Sequence, residues 1–116
     1  MAKARLLLGA HMSTSGGVDK AFDHGVATGC TAMQIFTRNN TRWDTKPLDD
    51  KTIEKYHARQ QETGIAPVVS HSSYLVNLAG PKEDFHQKSI LAMIDEIERA
   101  ELLGTPDVVM HPGSPL

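Results

Sequence analysis

Short apolar runs alternate with longer amphipathic stretches along the chain. The apolar runs cover residues 5–10, 31–36, 66–70 and 107–110. The first run contains three consecutive leucines and is apolar throughout, which is typical of a strand buried on both faces. We therefore predict four short strands. Pro67 near the start of the third run indicates an irregular beginning to that strand.

The stretches between the first three runs have the spacing and boundary residues of helices. Residues 18–28 repeat apolar side chains at helical intervals, with Ser15 as a candidate cap and Gly29 as the stop. Residues 50–63 follow Asp49, a favourable N-cap, and precede a glycine that suits a helix end. These signals predict two helices.

The longest predicted helix covers residues 82–103. It is expected to bury one apolar stripe, because its apolar side chains recur at intervals of four and three residues. The stripe consists of Ile90, Ile94, Ile97 and Ala100.

The resulting order is βαβαβαβ, which predicts an α/β fold with a parallel sheet and right-handed crossovers. The strand ends fall near His11, Thr37, His71 and His111. Their spacing is close to the roughly 31 residues per unit of a (β/α)8 barrel of about 250 residues. We therefore predict that residues 1–116 form a partial TIM-barrel domain, the amino-terminal half, with four strands and three helices.

A chain of 116 residues is too short for a whole barrel. We expect a fragment, a half-barrel that dimerises or a small repacked sheet, and a stable solitary monomer is the least favoured. Half a barrel would leave two parallel strands as open edges, and such edges invite pairing with another chain. Self-association through these edges is therefore one expected interaction.

Composition narrows the class of protein. Hydrophobic residues make up 40% and charged residues 22% of the chain, with a net charge of −2, so nucleic-acid binding would need a local basic patch.

Leu6-Leu7-Leu8 is too short for a signal core or a membrane span, so we expect no membrane partner. The single cysteine, Cys30, fits a reducing compartment, and we expect a cytoplasmic protein.

Three histidines follow predicted strands. His71 follows the third strand and His111 the fourth, where a Pro-Gly turn fixes the backbone. Ligands bind at the carboxyl ends of parallel strands, so this pair could hold one divalent metal ion. His11 follows the first strand and is a candidate for lining the same site. Taken singly, each histidine is also consistent with a buried, hydrogen-bonded turn residue.

A basic loop over residues 37–47 carries three cations, one acid, two asparagines and the only tryptophan. Cations contact phosphates, amides bond bases and aromatic rings stack, so the loop is a candidate nucleic-acid contact. The alternative is a solvated loop in which Trp43 is a packing anchor. The polar segment 71–78 contains Tyr74, for which local packing is likewise an alternative.

Several motifs together resemble the endonuclease IV family of apurinic/apyrimidinic endonucleases, which act in base-excision repair. They are GAHMS at 9–13, FTRN at 36–39 followed by Trp43, HSSYLVNL at 71–78 and HPGS at 111–114. The match runs over nearly the whole chain in order. The family fold is a (β/α)8 barrel.

The resemblance implies zinc-assisted hydrolysis of the phosphodiester 5′ to an abasic site in duplex DNA. It assigns His71 and His111 to one zinc ion of a three-zinc site. Tyr74 corresponds to a residue that enters DNA near the abasic site, and Asn39 and Asn40 fall in a loop that penetrates the minor groove. The family tends to have a basic residue at the position of Thr41, and the nearest here is Arg42.

No catalytic side chain is assigned to this chain by the resemblance. The carboxylates and remaining histidines of the family's metal site lie in its second half, whereas a catalytic zinc usually has three protein ligands. We expect at most one partial zinc site, weak metal affinity and little or no nuclease activity. Two alternatives are a fragment of a sugar-isomerase-like barrel and a non-catalytic half-barrel that self-associates.

Overall fold

Four parallel strands form one sheet in the order in which they occur along the chain. The computed structural model describes residues 5–115. Its strands are β1 (Gly9–His11), β2 (Ala32–Phe36), β3 (Val68–His71) and β4 (Val108–Val109). Each strand is parallel to its neighbour, as right-handed crossovers in a barrel require. The predicted half of a TIM barrel is therefore confirmed for the described residues.

Three helices connect the strands. They are α1 (Lys20–Thr28), α2 (Asp50–Thr63) and α3 (Glu83–Leu103). Asp49 caps α2 as predicted, because its Oδ1 accepts a hydrogen bond from the Thr52 amide at 2.7 Å. The predicted Ser15 cap of α1 is wrong, because a turn in which the Gly17 amide bonds the Thr14 carbonyl delays the helix to Lys20. Within the described residues, no helix has the length and hydropathy needed to cross a membrane.

The first strand is shorter than predicted. Residues 5–8 are not strand, and Leu6, Leu7 and Leu8 are all more than half exposed. Burial on both faces is therefore wrong for this run. The reason is tertiary: β1 lies at an edge of the sheet, and its pairing with β2 begins only at Gly9 opposite Ala32.

Successive side chains of β2 and β3 point to opposite sides of the sheet and alternate in burial, so the sheet has two different faces. One face packs against the helices through buried side chains of β2 and β3, including Met33, Ile35 and Val68. The core there includes Phe22 of α1 and Tyr56 of α2, whose rings lie edge to face with centroids 4.8 Å apart. The opposite face, which is the inner face of the barrel, is more open and carries the candidate site.

Helix α3 buries only part of the predicted apolar stripe. Ala100 is buried and Ile90 half-buried as predicted, but Ile94 and Ile97 are exposed, so the prediction is wrong at these two positions. The buried residues of the helix are instead small, polar or charged in most cases: Ser89, Ala92, Glu96, Arg99, Ala100 and Leu103. This face is selected because charged side chains of α3 have partners in the loop over residues 37–47.

Candidate metal centre and nucleic-acid interface

The histidines after β3 and β4 lie side by side. His71 is in register with Val109 of β4, and the chain reaches His111 two residues later. The two imidazole rings have centroids 5.2 Å apart and are tilted by 49°. Parallel pairing of two adjacent strands therefore brings together the two residues predicted as metal ligands.

His71 has a defined orientation. Its Nδ1 lies 2.8 Å from the carbonyl oxygen of Ser72. Because a carbonyl oxygen can only accept, Nδ1 carries the proton and Nε2 keeps its lone pair. Metal-binding histidines are typically held in this way by a hydrogen bond at the other ring nitrogen. The half-buried His71 therefore fits a zinc ligand in its donor chemistry.

The donor set is incomplete. Among residues 5–115, no group of three or more His, Cys, Asp or Glu side chains is arranged to hold a metal ion. A zinc ion usually needs at least three protein ligands. The two imidazoles therefore fit part of a zinc site, and their assignment as ligands stays a prediction.

His11 lies on the same inner face but is engaged differently. Its Nδ1 is 2.9 Å from Nε2 of Gln34, and its ring packs on Phe36 with a centroid distance of 4.4 Å. Burial is the main cause that lowers the pKa of His11, and the electrostatic effect of the neighbouring His71 ring is the second. The ring of Phe36 also lies edge to face with that of His71, with centroids 5.6 Å apart. His11 therefore lines the site without joining a three-ligand group.

Tyr74 lies next to these rings and remains accessible. Its ring is 5.2 Å from that of Phe36 and 6.4 Å from that of His71. The residue is 68% exposed. The ring therefore packs locally against Phe36 and His71, as the alternative expected, and its exposed part is accessible to a bound molecule.

The loop over residues 37–47 approaches the same end of the sheet. The side chain of Asn39 is exposed, and its Oδ1 accepts hydrogen bonds from the amide and hydroxyl of Thr41. Asn40 is half-buried, and its carbonyl accepts a hydrogen bond from Ser73 Oγ at 2.9 Å. Ser73 therefore ties this loop to the segment that carries Tyr74. Arg42 is exposed beside them.

Trp43 packs against α3. Its half-buried ring lies 6.4 Å from Phe85, and the ammonium of Lys88 is 5.9 Å from its centroid. The tryptophan is thus an anchor for the loop, which was one of the two interpretations of this residue.

The sequence and fold also match known proteins of one barrel family. Residues 22–116 match the family described as xylose isomerase-like TIM barrel. The chain belongs to this family.

Members with the endonuclease 4 name are strongly similar to the chain. It is 50% identical over 106 residues to the probable endonuclease 4 of Chloroflexus aggregans, covering 91% of this chain and 37% of the relative. It is 44% identical over 107 residues to the probable endonuclease 4 of Trichlorobacter lovleyi, covering 92% and 38%. The chain therefore spans less than two fifths of the length of these relatives.

A solved structure gives the same result. The crystal structure of endonuclease IV from Thermus thermophilus matches with a TM-score of 0.81 and 34% identity, over 94% of this chain and 42% of that one. The resemblance to endonuclease IV found in the motifs is therefore confirmed.

A contact that was not predicted holds the turn that begins at His111. Asn77 donates from Nδ2 to the Ser114 carbonyl at 3.0 Å and accepts at Oδ1 from the Ser114 amide at 2.9 Å. Gly113 has φ +106°, and a Cβ there would lie 2.1 Å from Asn77 Oδ1. The side chain after β3 thus shapes the turn after β4. Asn77 and Ser114 each belong to a motif recognised in the sequence, but nothing in the sequence indicates that they contact each other.

Proposed function

We propose that this chain contributes to zinc-dependent hydrolysis of the phosphodiester 5′ to an abasic site in duplex DNA, the reaction of endonuclease IV-like enzymes. One observation carries the proposal. The paired imidazoles of His71 and His111, with centroids 5.2 Å apart, lie beside the exposed Tyr74, and Ser73 joins that segment to the Asn40 loop.

The metal-facing part would consist of His71 and His111. Bound zinc supplies a Lewis acid that polarises the phosphodiester and lowers the pKa of an attacking water. The Ser72 carbonyl holds the proton of His71 at Nδ1 and thereby leaves Nε2 free for the metal. We assign no catalytic side chain among the described residues.

The DNA-facing part would consist of Tyr74 and the loop over residues 37–47. The exposed ring of Tyr74 can stack in the space left by the missing base. Asn39 and Asn40 present amide groups suited to the minor groove, and the Arg42 guanidinium can neutralise a phosphate. An abasic nucleotide costs little to extrude because it has no base to unstack, which favours such a substrate.

Two imidazoles are too few for tight zinc binding. We expect weak zinc affinity and little incision from this polypeptide alone, because a catalytic zinc usually has three protein ligands. The remaining ligands would come from polypeptide other than residues 5–115.

The names of the relatives favour DNA over a sugar substrate. The family description covers xylose isomerase-like barrels in general, but the relatives with 40–50% identity are named probable endonuclease 4. A DNA substrate is also compatible with the cytoplasmic location predicted from the single cysteine.

Binding to a duplex with one tetrahydrofuran abasic analogue tests the proposal. We expect a labelled abasic duplex to bind more tightly than its intact counterpart in fluorescence anisotropy. Tyr74→Ala should reduce this preference by at least about fivefold, given ~1–3 kcal/mol for one stacking ring. Leu102→Ala is the matched control, because Leu102 is an exposed apolar residue in the last turn of α3. Equal affinity of the wild type for both duplexes would contradict the proposed substrate.

Catalysis is tested separately with the same duplex and added Zn²⁺. We expect only slow incision by the isolated chain. Robust turnover that is abolished by His71→Ala would show instead that two imidazoles suffice, and would overturn the expectation of weak activity.

A further inference from the structure

Two buried arginines and the half-buried Asp95 form a charge cluster that contacts the loop over residues 37–47. The side chains of Arg38 and Arg99 are only 4% and 5% exposed. Both donate to the same carboxylate oxygen of Asp95, Arg38 from Nη1 at 2.6 Å and Arg99 from Nε at 2.8 Å. One acidic side chain of α3 thus holds two arginines in fixed positions.

The Nη2 atom of Arg38 and the Nη atoms of Arg99 point into the loop, whereas Nε of Arg38 lies 3.8 Å from Oε1 of Glu96. Arg38 Nη2 donates to the carbonyls of Arg42 and Trp43. Arg99 donates to the Thr37 carbonyl at 3.0 Å. Its Nη2 also donates to Thr45 Oγ1 at 3.1 Å and to the carbonyl of Lys46. The cluster therefore engages the backbone at both ends of the loop and in its middle.

A stabilising role alone does not account for this arrangement. Burying charges carries a large desolvation cost, and apolar side chains of similar volume are often as stabilising as a buried ion pair. Two planar guanidinium groups, in contrast, fix several carbonyls in definite directions. The cluster is better suited to defining a conformation than to adding stability.

We propose that Arg38, Asp95 and Arg99 are positioning residues that hold the loop over residues 37–47 in its DNA-binding conformation before DNA arrives. The inference rests on the proposed function in one respect, namely that this loop contacts DNA. Ordering a loop on binding costs affinity, and a loop that is already ordered avoids this cost. Asn39, Asn40 and Arg42 would then be presented to DNA from a rigid support.

The fluorescence of Trp43 reports on the conformation of the loop in the absence of DNA. Trp43 is the only tryptophan in the sequence, and its carbonyl is one of the acceptors of Arg38. In Arg38→Met and Arg99→Met we expect acrylamide to quench its fluorescence more efficiently at temperatures well below the unfolding midpoint. Arg59→Met is the matched control, because Arg59 pairs with Asp23 and Glu62 outside the loop. It should leave the quenching unchanged.

Abasic-duplex binding gives the second readout. We expect Arg38→Met and Arg99→Met to raise the Kd about tenfold, because these variants would have to order the loop when DNA binds. Arg99→Lys should recover part of this loss, because it keeps a donor for Asp95. Arg59→Met should bind like the wild type.

Unchanged quenching and unchanged Kd in folded Arg38 and Arg99 variants with lowered melting temperatures would overturn the inference, because a merely structural role predicts that result. If the methionine variants do not fold, Asp95→Asn decides with the same two measurements, since it preserves shape while removing the shared charge. If the wild type fails to bind abasic DNA, the proposed function fails. Increased Trp43 quenching would then still support the positioning role, and unchanged quenching would overturn it.

Discussion

Glu96 is a carboxyl group in the interior of the molecule. It is fully buried, and its Oε1 lies 3.8 Å from Nε of Arg38. Burial raises the pKa of Glu96 to about 7, and the positive charge of Arg38 only partly opposes this effect. At the pH of most assays, the protonation state of this residue is therefore divided between the acid and the carboxylate.

This raised pKa predicts how stability depends on pH. Between pH 4.5 and about 7, the unfolded chain releases the Glu96 proton and the folded chain keeps it. The free energy of unfolding therefore decreases as pH rises through this range. The loss amounts to about 3 kcal/mol as an upper order of magnitude. We expect Glu96→Gln to remove this part of the pH dependence, measured by urea unfolding at pH 5 and pH 8.

The matched control is Glu98→Gln, an exposed carboxyl on the same helix. It should keep the wild-type difference in the free energy of unfolding between the two pH values. An equally large decrease with pH in Glu96→Gln would assign the effect to other groups.

Helix boundaries that are set by neighbouring capping residues could be predicted from the sequence. Asp49 and Gly64 delimit α2 at the predicted residues, because a cap and a left-handed glycine act within one turn. The buried face of α3 was not predictable from periodicity. The buried face of this helix depends on partners that are distant in sequence, such as the Thr37 carbonyl that accepts a hydrogen bond from Arg99.

The same distinction applies to the candidate site. His71 and His111 could be proposed from sequence because a strand end is a local feature, and parallel pairing then brings the two ends together. Asn77 was missed, because its bonds to Ser114 span 37 positions in the chain.

The turn after β4 yields an element-scale prediction. Gly113→Ala places a Cβ 2.1 Å from Asn77 Oδ1 and 3.1 Å from the Ala79 nitrogen, so the Asn77 side chain must shift, and the φ of +106° strains the turn. Because His111 begins this turn, we expect the zinc affinity of the chain to fall about tenfold, as when a group supporting a metal ligand is lost. Competition with a chromophoric chelator measures this affinity.

Gly16→Ala is the control for backbone strain. Gly16 also has a positive φ of +88°, but its Cβ would meet only the flexible side chain of Lys20 at 3.5 Å. Both variants should lose stability, and only Gly113→Ala should lose zinc affinity. The same zinc affinity in both variants would refute the link between this turn and the metal ligands.

The whole molecule has an open shape for its length. Its Cα radius of gyration is 15.3 Å, above the roughly 13 Å expected of a compact domain of this size. Within the described residues, β1 and β4 are the two edges of the sheet. Leu6, Leu7 and Leu8 lie exposed next to the β1 edge.

Exposed strand edges beside apolar side chains favour pairing with a second copy, because both backbone hydrogen bonds and apolar burial are gained. We therefore predict concentration-dependent self-association in sedimentation velocity, and a shift toward monomer in the double variant Leu6→Lys/Leu8→Lys. Leu91→Lys adds a charge at a similarly exposed position on α3 and should not change the distribution. A wild-type protein that sediments as a monomer at all concentrations, with ordinary stability, would show that the open edges are tolerated in water.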